Sequence, residues 1–183
     1  MDTQLFKDYF RYSEERLMAL RVSGDTAAFL VTTGLPEWCA PNAHFGPIGE
    51  DSTELPSQQI GTMTYVGLGE DRDDNLIALA LEACDIWALP ASGIRVYIAA
   101  NVRELSSSLH AWQACVNAAV AEDSQAFVES RVPLRFLESF VSWASALNPG
   151  LIGHGSFWAQ ELLRHGLPPR SLDAGGVRDP HGP

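Results

Sequence analysis

Lysine is nearly missing from this chain: Lys7 stands alone against eleven arginines in 183 residues. That skew suits a GC-rich genome and carries no structural meaning by itself. Cysteine is sparse and odd in number, with Cys39, Cys84 and Cys115. A disulfide-stapled secreted domain uses an even and denser set. These three read instead as buried or half-buried thiols, since free cysteine packs like a small hydrophobe, and a reducing cytoplasm suits them. Long apolar runs are lacking too. None reaches the ~18–20 residues that cross a bilayer, and Met1-Asp2-Thr3-Gln4 has no basic start leading into an apolar stretch. The expectation is a soluble cytoplasmic protein with no membrane role and no secretion signal.

Positive charge is in short supply. The net charge is −11, and residues 50 to 85 carry −8 of it: Glu50, Asp51, Glu54, Glu70, Asp71, Asp73, Asp74, Glu82 and Asp85 against Arg72. A negative field of this kind repels nucleic acid and favours a basic partner. A chain that binds DNA or RNA is expected to show a basic patch, and none is visible.

Recognisable chemistry is absent as well. Cys39 and His44 lie five apart, but no second pair follows at zinc-binding spacing. His154 and His165 lie eleven apart and do not complete a metal site. Gly153-His154-Gly155-Ser156-Phe157 has Phe157 where a nucleophile elbow needs its closing glycine, so Ser156 reads as a helix cap. Gly67-Leu68-Gly69 does not continue as a dinucleotide fingerprint, and no phosphate-binding loop occurs. The run Glu70-Asp71-Arg72-Asp73-Asp74-Asn75 lacks the sharp-turn glycine of a calcium loop and reads as a solvated turn or a protein-recognition element. No catalytic residue, cofactor or metal is assigned.

What remains is a core-forming chain, 46% hydrophobic, of a length that suits one domain. The reading is a single domain over 1–168 with a Gly- and Pro-rich, apolar-poor tail over 169–183 that is expected to be disordered. Leu5, Phe6, Tyr9, Phe10, Leu17 and Leu20 recur at helical spacing and predict a helix over Thr3 to Val22. A shorter helix follows from Asp25, closed by Gly34 and Pro36. Residues 37 to 61 are broken repeatedly by Pro and Gly, with a short strand at Ala43 to Phe45 and a loop from Glu50 to Gln59. Strands are expected at Met63 to Leu68, Leu76 to Leu81, Ile86 to Leu89 and Ile94 to Ile98, with Ala99 to Leu105 as a short edge. Tight polar turns between them favour an antiparallel meander. The last third predicts three helices: one capped at Ser106 or Ser107, one beginning at Pro133, and one over Ser156 to His165. Helices, a block of strands, then helices is the α+β pattern, with a twisted, mainly antiparallel sheet flanked by N-terminal and C-terminal helices.

Two tryptophans stand out from the five. Trp38 lies in an irregular loop and Trp87 in a strand beside the acidic segment, and exposed aromatics next to charge are favoured at protein interfaces. The candidate partner-binding residues are Glu70, Asp71, Asp73 and Asp74, then Glu50, Asp51 and Glu54, with Trp38 and Trp87.

The order of these pieces resembles the SUKH superfamily. Phe29-Leu30-Val31-Thr32-Thr33-Gly34-Leu35-Pro36 is similar to its helix-end G-L-P motif. Ile60-Gly61 and the strands through Leu89 resemble its central sheet. Leu105 to Trp112 resembles its N-S-S-L-x-x-F turn into a helix, with Ser106 for Asn and Trp112 for Phe, and Ser156-Phe157-Trp158 resembles its late aromatic helix start. The likeness runs from Phe29 to Leu163 and is nearest the fourth subfamily, known largely as bacterial immunity proteins. It implies an α+β fold without catalytic residues, and the binding of a cognate toxin domain, often a nuclease or nucleic-acid deaminase. Such toxins must attract phosphates and tend to be basic, which an acidic binder complements. A regulatory adaptor of the same superfamily, binding cellular proteins without a toxin, is the alternative.

Overall fold

The computed structural model describes residues 5–22, 24–48, 55–125, 132–168 and 172. The expected tail over 169–183 therefore lies outside the described residues, Leu172 excepted. The chain gathers into two compact units, residues 1–113 and 114–183.

The first unit opens with strand β1 (Tyr9–Phe10), helix α1 (Glu14–Ala19) and helix α2 (Gly24–Thr32). Strands β2 (Leu35–Pro36), β3 (Trp38–Cys39), β4 (Ala43–Phe45) and β5 (Ser57–Ile60) follow. Then come β6 (Met63–Glu70), β7 (Leu76–Ala80), β8 (Ile86–Leu89) and β9 (Val96–Ala99). Helix α3 (Val102–Glu122) begins in this unit and ends in the next. The fold class is α+β. The main sheet runs in the order β3-β4-β6-β7-β8-β9, with β5 also on β6, and every pairing is antiparallel.

The continuous helix expected over Thr3 to Val22 is replaced by β1 and the short α1. Tyr9 and Phe10 pair with Pro36 and Leu35 instead of coiling. Gly34 makes that pairing possible. It ends α2 with φ +77°, and a Cβ there would stand 2.1 Å from the Phe10 carbonyl oxygen. A tertiary strand partner thus outweighs local helical periodicity. The register still buries Phe6, Tyr12 and Leu17, and the Tyr12 hydroxyl donates to the Leu68 carbonyl at 2.6 Å.

The sheet has two unlike faces because successive side chains alternate. One face carries Val66, Leu79, Ile86 and Ala99 in a single cross-strand row, with Ile77 and Ala88 beside it, all of them buried. The other carries a cross-strand row with bulkier and more polar members that forms the candidate site below. Two expected elements shift. β6 extends through Glu70, so the acidic turn is shorter than the sequence predicts, and residues 57–60 form β5 instead of a loop. Nor does an edge strand cover 99–105. The Asn101 side chain accepts the amide hydrogens of Arg103 and Glu104, capping α3 five residues before Ser106, the earlier of the two expected caps. Ser106 lies inside that helix, and Ser108 donates back to the Glu104 carbonyl at 2.8 Å.

The second unit holds the end of α3, helix α4 (Leu134–Leu147), a 3-10 turn at Pro149–Ile152 and helix α5 (Phe157–Arg164). Helix α4 begins one residue after Pro133, where the sequence reading starts it, and Leu137, Phe140 and Ala144 form its buried stripe. Phe140 packs on the fully buried Trp158, with ring centroids 5.3 Å apart. Ser156 caps α5. Its hydroxyl accepts the Ala159 amide hydrogen and donates to the Leu151 carbonyl. Among the described residues, no helix is long and apolar enough to cross a membrane.

Candidate functional site

Strand register assembles the site. Trp38 on β3 faces His44 on β4, His44 faces Glu70 on β6, Glu70 faces Leu76 on β7, and Leu76 faces Leu89 on β8. These five side chains form one cross-strand row on the face opposite the buried Val66–Leu79–Ile86 row. Alternation explains the placement: β4 buries Ala43 and Phe45 and turns His44 outward, with only partial burial.

Trp38 is 67% exposed, and its ring lies on His44 with centroids 4.4 Å apart and planes tilted by 39°. An aromatic this bare leaves apolar area in water that contact with a partner would remove. Gly69 brings the row together. A Cβ at Gly69 would stand 2.1 Å from the His44 carbonyl oxygen, so only glycine lets β4 come this close to β6. The register shifts between Gly67 and Gly69 at the same point, a bulge that re-aims the end of the strand.

The acidic turn follows directly. Asp71 is 9% exposed and organises it. One carboxylate oxygen accepts the amide hydrogens of Asp73 at 2.8 Å and Asn75 at 3.0 Å, and the other accepts the Asn75 side-chain amide at 2.9 Å. This is the Asx-type turn for which aspartate is suited. Asp74 takes φ +57° at its tip, a conformation aspartate tolerates better than most residues. Asp73 and Asp74 are exposed and Glu70 is half-buried. Arg72, the one base of this segment, reaches the β3–β4 hairpin. Its Nε and Nη2 both donate to the Pro41 carbonyl at 3.2 Å, tying the acidic turn to the tip of the β3–β4 hairpin.

Of the residues singled out by sequence, the structure therefore brings Trp38, Glu70, Asp73 and Asp74 to one corner of the sheet. Asp71 belongs to the same turn with its carboxylate directed inward. Trp87 shares the sheet face but not the row. It is half-buried beside Tyr65, Ala78, Ala80 and Leu89, meets Tyr97 edge-on at 5.5 Å, and lies under the Arg95 guanidinium at 5.1 Å. Arg95 also donates to the Tyr65 hydroxyl. Glu50, Asp51 and Glu54 lie outside the described residues. Sequence reasoning missed His44, Gly69 and the Arg72–Pro41 contact. The outward position of His44 was open to inference from the Ala43–Phe45 alternation, but its neighbours depend on register.

Burial pushes the Cys39 thiol up to about 12 and the Cys115 thiol up to about 11, away from the thiolate a nucleophile needs. The Cys39 thiol donates to the Ala43 carbonyl at 3.7 Å. His110 Nδ1 lies 2.7 Å from the Ser106 carbonyl, which can only accept, so that nitrogen carries the hydrogen. In the neutral ring Nε2 then accepts from the Tyr9 hydroxyl at 2.8 Å. Burial, and then the nearby Cys39, hold the Tyr9 hydroxyl above its ordinary value. The imidazole is thereby committed to pinning β1 against α3. Among the described residues, no three His, Cys, Asp or Glu side chains gather as metal ligands.

Comparison with protein-family models, with curated proteins and with solved structures gave no match. The resemblance to the SUKH superfamily thus rests on the sequence motifs. Its G-L-P segment forms the end of α2 and strand β2, whereas the segment Leu105 to Trp112 lies within α3 and not at a turn into it.

Proposed function

We propose that this chain is a cytoplasmic immunity protein that binds and neutralises a cognate bacterial toxin domain, a basic nuclease or nucleic-acid deaminase. The observation that carries the reading is the bare Trp38, backed by His44 and set in one row with Glu70 beside the exposed Asp73 and Asp74. An aromatic anchor rimmed by charge of one sign has the composition of a protein-binding hot spot. The excess negative charge fits a partner whose surface evolved to hold phosphates. The motif resemblance points to the same role. The raised thiols and the saturated Ser156 hydroxyl favour binding over nucleophilic catalysis.

The deciding experiment is rescue. The C-terminal domain encoded by the adjacent gene is expressed in a sensitive host with and without the chain. Specific survival, with a purified one-to-one complex, is the expected result. Two folded proteins that neither rescue nor bind would sink the reading and shift it to a regulatory adaptor, to be pursued by unbiased pull-down.

A further inference from the structure

We infer that the Trp38–His44 platform receives an arginine side chain of the partner, its guanidinium lying on the indole and its hydrogen-bonding fork reaching the Glu70 carboxylate. This deepens the proposed function and rests on it for the existence of a protein partner. The chemistry of the anchor comes from the row itself. Trp38 is 67% exposed, yet its ring is already stacked on His44 at 4.4 Å. Little side-chain freedom is left to lose when something settles on the remaining indole surface, which is the advantage of a preorganised aromatic.

Cross-strand neighbours on one face stand ~5 Å apart, so Glu70 is two such steps from Trp38 along Trp38–His44–Glu70. An extended arginine can cover that span. Its stem and guanidinium plane would lie along the Trp38–His44 pair, with the fork at the tip meeting the Glu70 carboxylate. Arg72, the one base in the acidic segment, donates through Nε and Nη2 to the Pro41 carbonyl. An apolar knob would cover Trp38 and leave Glu70 with a poorer environment. Lysine would satisfy the charge but lacks the planar group that both stacks and forks. Within the same sheet face, Arg95 over Trp87 and Tyr65 shows this chain using that pairing internally.

The test uses the isotope-labelled full chain and three capped tripeptides, Gly-X-Gly, with X arginine, lysine or citrulline. Citrulline has nearly the shape of arginine without its charge. The arginine peptide is expected to shift the Trp38 indole N–H and the backbone amides of His44 and Glu70 together, with millimolar affinity. Lysine should bind about 5-fold or more weakly by comparison, and citrulline should leave the three signals in place. Trp38→Ala and Glu70→Gln should each reduce the arginine response at His44 by about tenfold. Trp38→Phe, which keeps a ring, should retain part of it, and serves if the alanine variant does not fold. Equal response to citrulline, equal response to lysine, or no response up to about 20 mM arginine peptide overturns the inference. A chain that rescues its host but ignores the peptide loses the arginine anchor and keeps the immunity role. One that binds the peptide without rescuing keeps the anchor and loses the role.

Discussion

The carboxylates of Asp71 and Asp73 lie two residues apart in one turn and are used in opposite ways. Asp71 accepts three hydrogen bonds while 9% exposed. Replacing it with alanine leaves two backbone amides of the turn without their acceptor, at a cost of about 1–3 kcal/mol. Asp73→Asn and Asp74→Asn, at exposed positions, should change stability by no more than about 0.5 kcal/mol. Urea unfolding of the three variants checks both statements, and comparable losses from all three would contradict the division. Partner affinity should rank the other way. The buried thiols give a second prediction. Cys39 rises from an ordinary value of 9.0 to about 12. A folded-state value above the unfolded one means that the native state holds its proton longer. Stability from this group is full below pH 9 and declines as pH climbs toward 12. Cys115 and the buried Tyr12 hydroxyl, also raised by burial, act in the same direction. Urea midpoints between pH 8 and 10.5 should fall, and Cys39→Ala should flatten the slope even where it lowers the starting stability. A slope unchanged by that substitution would remove Cys39 as a cause.

At the scale of elements, Gly69 is the joint between β4 and β6. Alanine there places a methyl carbon against the His44 carbonyl, and backbone cannot yield as a side-chain tip can. Gly69→Ala is expected to cost at least about 2 kcal/mol and to weaken partner binding, although no side chain of the site has been changed. Gly34→Ala meets the same obstacle at the Phe10 carbonyl and adds strain from φ +77°. It should destabilise the chain at least as much while leaving the Trp38 row assembled. Melting curves together with affinity for the partner separate the two cases. These joints also mark where the sequence stops being legible. Strands β6, β7 and β8, helices α4 and α5 and the α+β class are readable because their apolar periodicities are long enough to fix type and face. The strands β1, β2 and β3 have two residues each, too few for any period, and exist because a partner strand lies alongside. The acidic turn was visible as charge, but which of its carboxylates faces inward depends on hydrogen bonds to residues 73 and 75. Trp38 was visible as an aromatic out of pattern, while its neighbours His44 and Glu70 follow from pairing between strands 26 residues apart in sequence.

Over the whole molecule, charge would set how the proposed partner is met. A net charge of −11 in 183 residues steers a basic protein from beyond contact distance, and salt shortens that reach to ~8 Å at physiological ionic strength. Association with the toxin partner proposed above should therefore slow markedly between low and high salt, with dissociation changing less. Reversing Glu70, Asp73 and Asp74 together should remove much of that salt dependence. Stopped-flow mixing across a salt series measures it, and a salt slope equal to that of the unaltered chain would place the contact surface elsewhere.

The five tryptophans differ sharply in their surroundings. Trp112 and Trp158 are fully buried, Trp87 and Trp143 half-buried, and Trp38 alone stands mostly in water. Trp38 is therefore expected to supply the long-wavelength edge of the chain's emission and to be the indole most open to acrylamide. Its light is a built-in reporter. Any ligand that settles on the row should blue-shift that edge and shield it from quencher without a label, and Trp38→Phe supplies the blank.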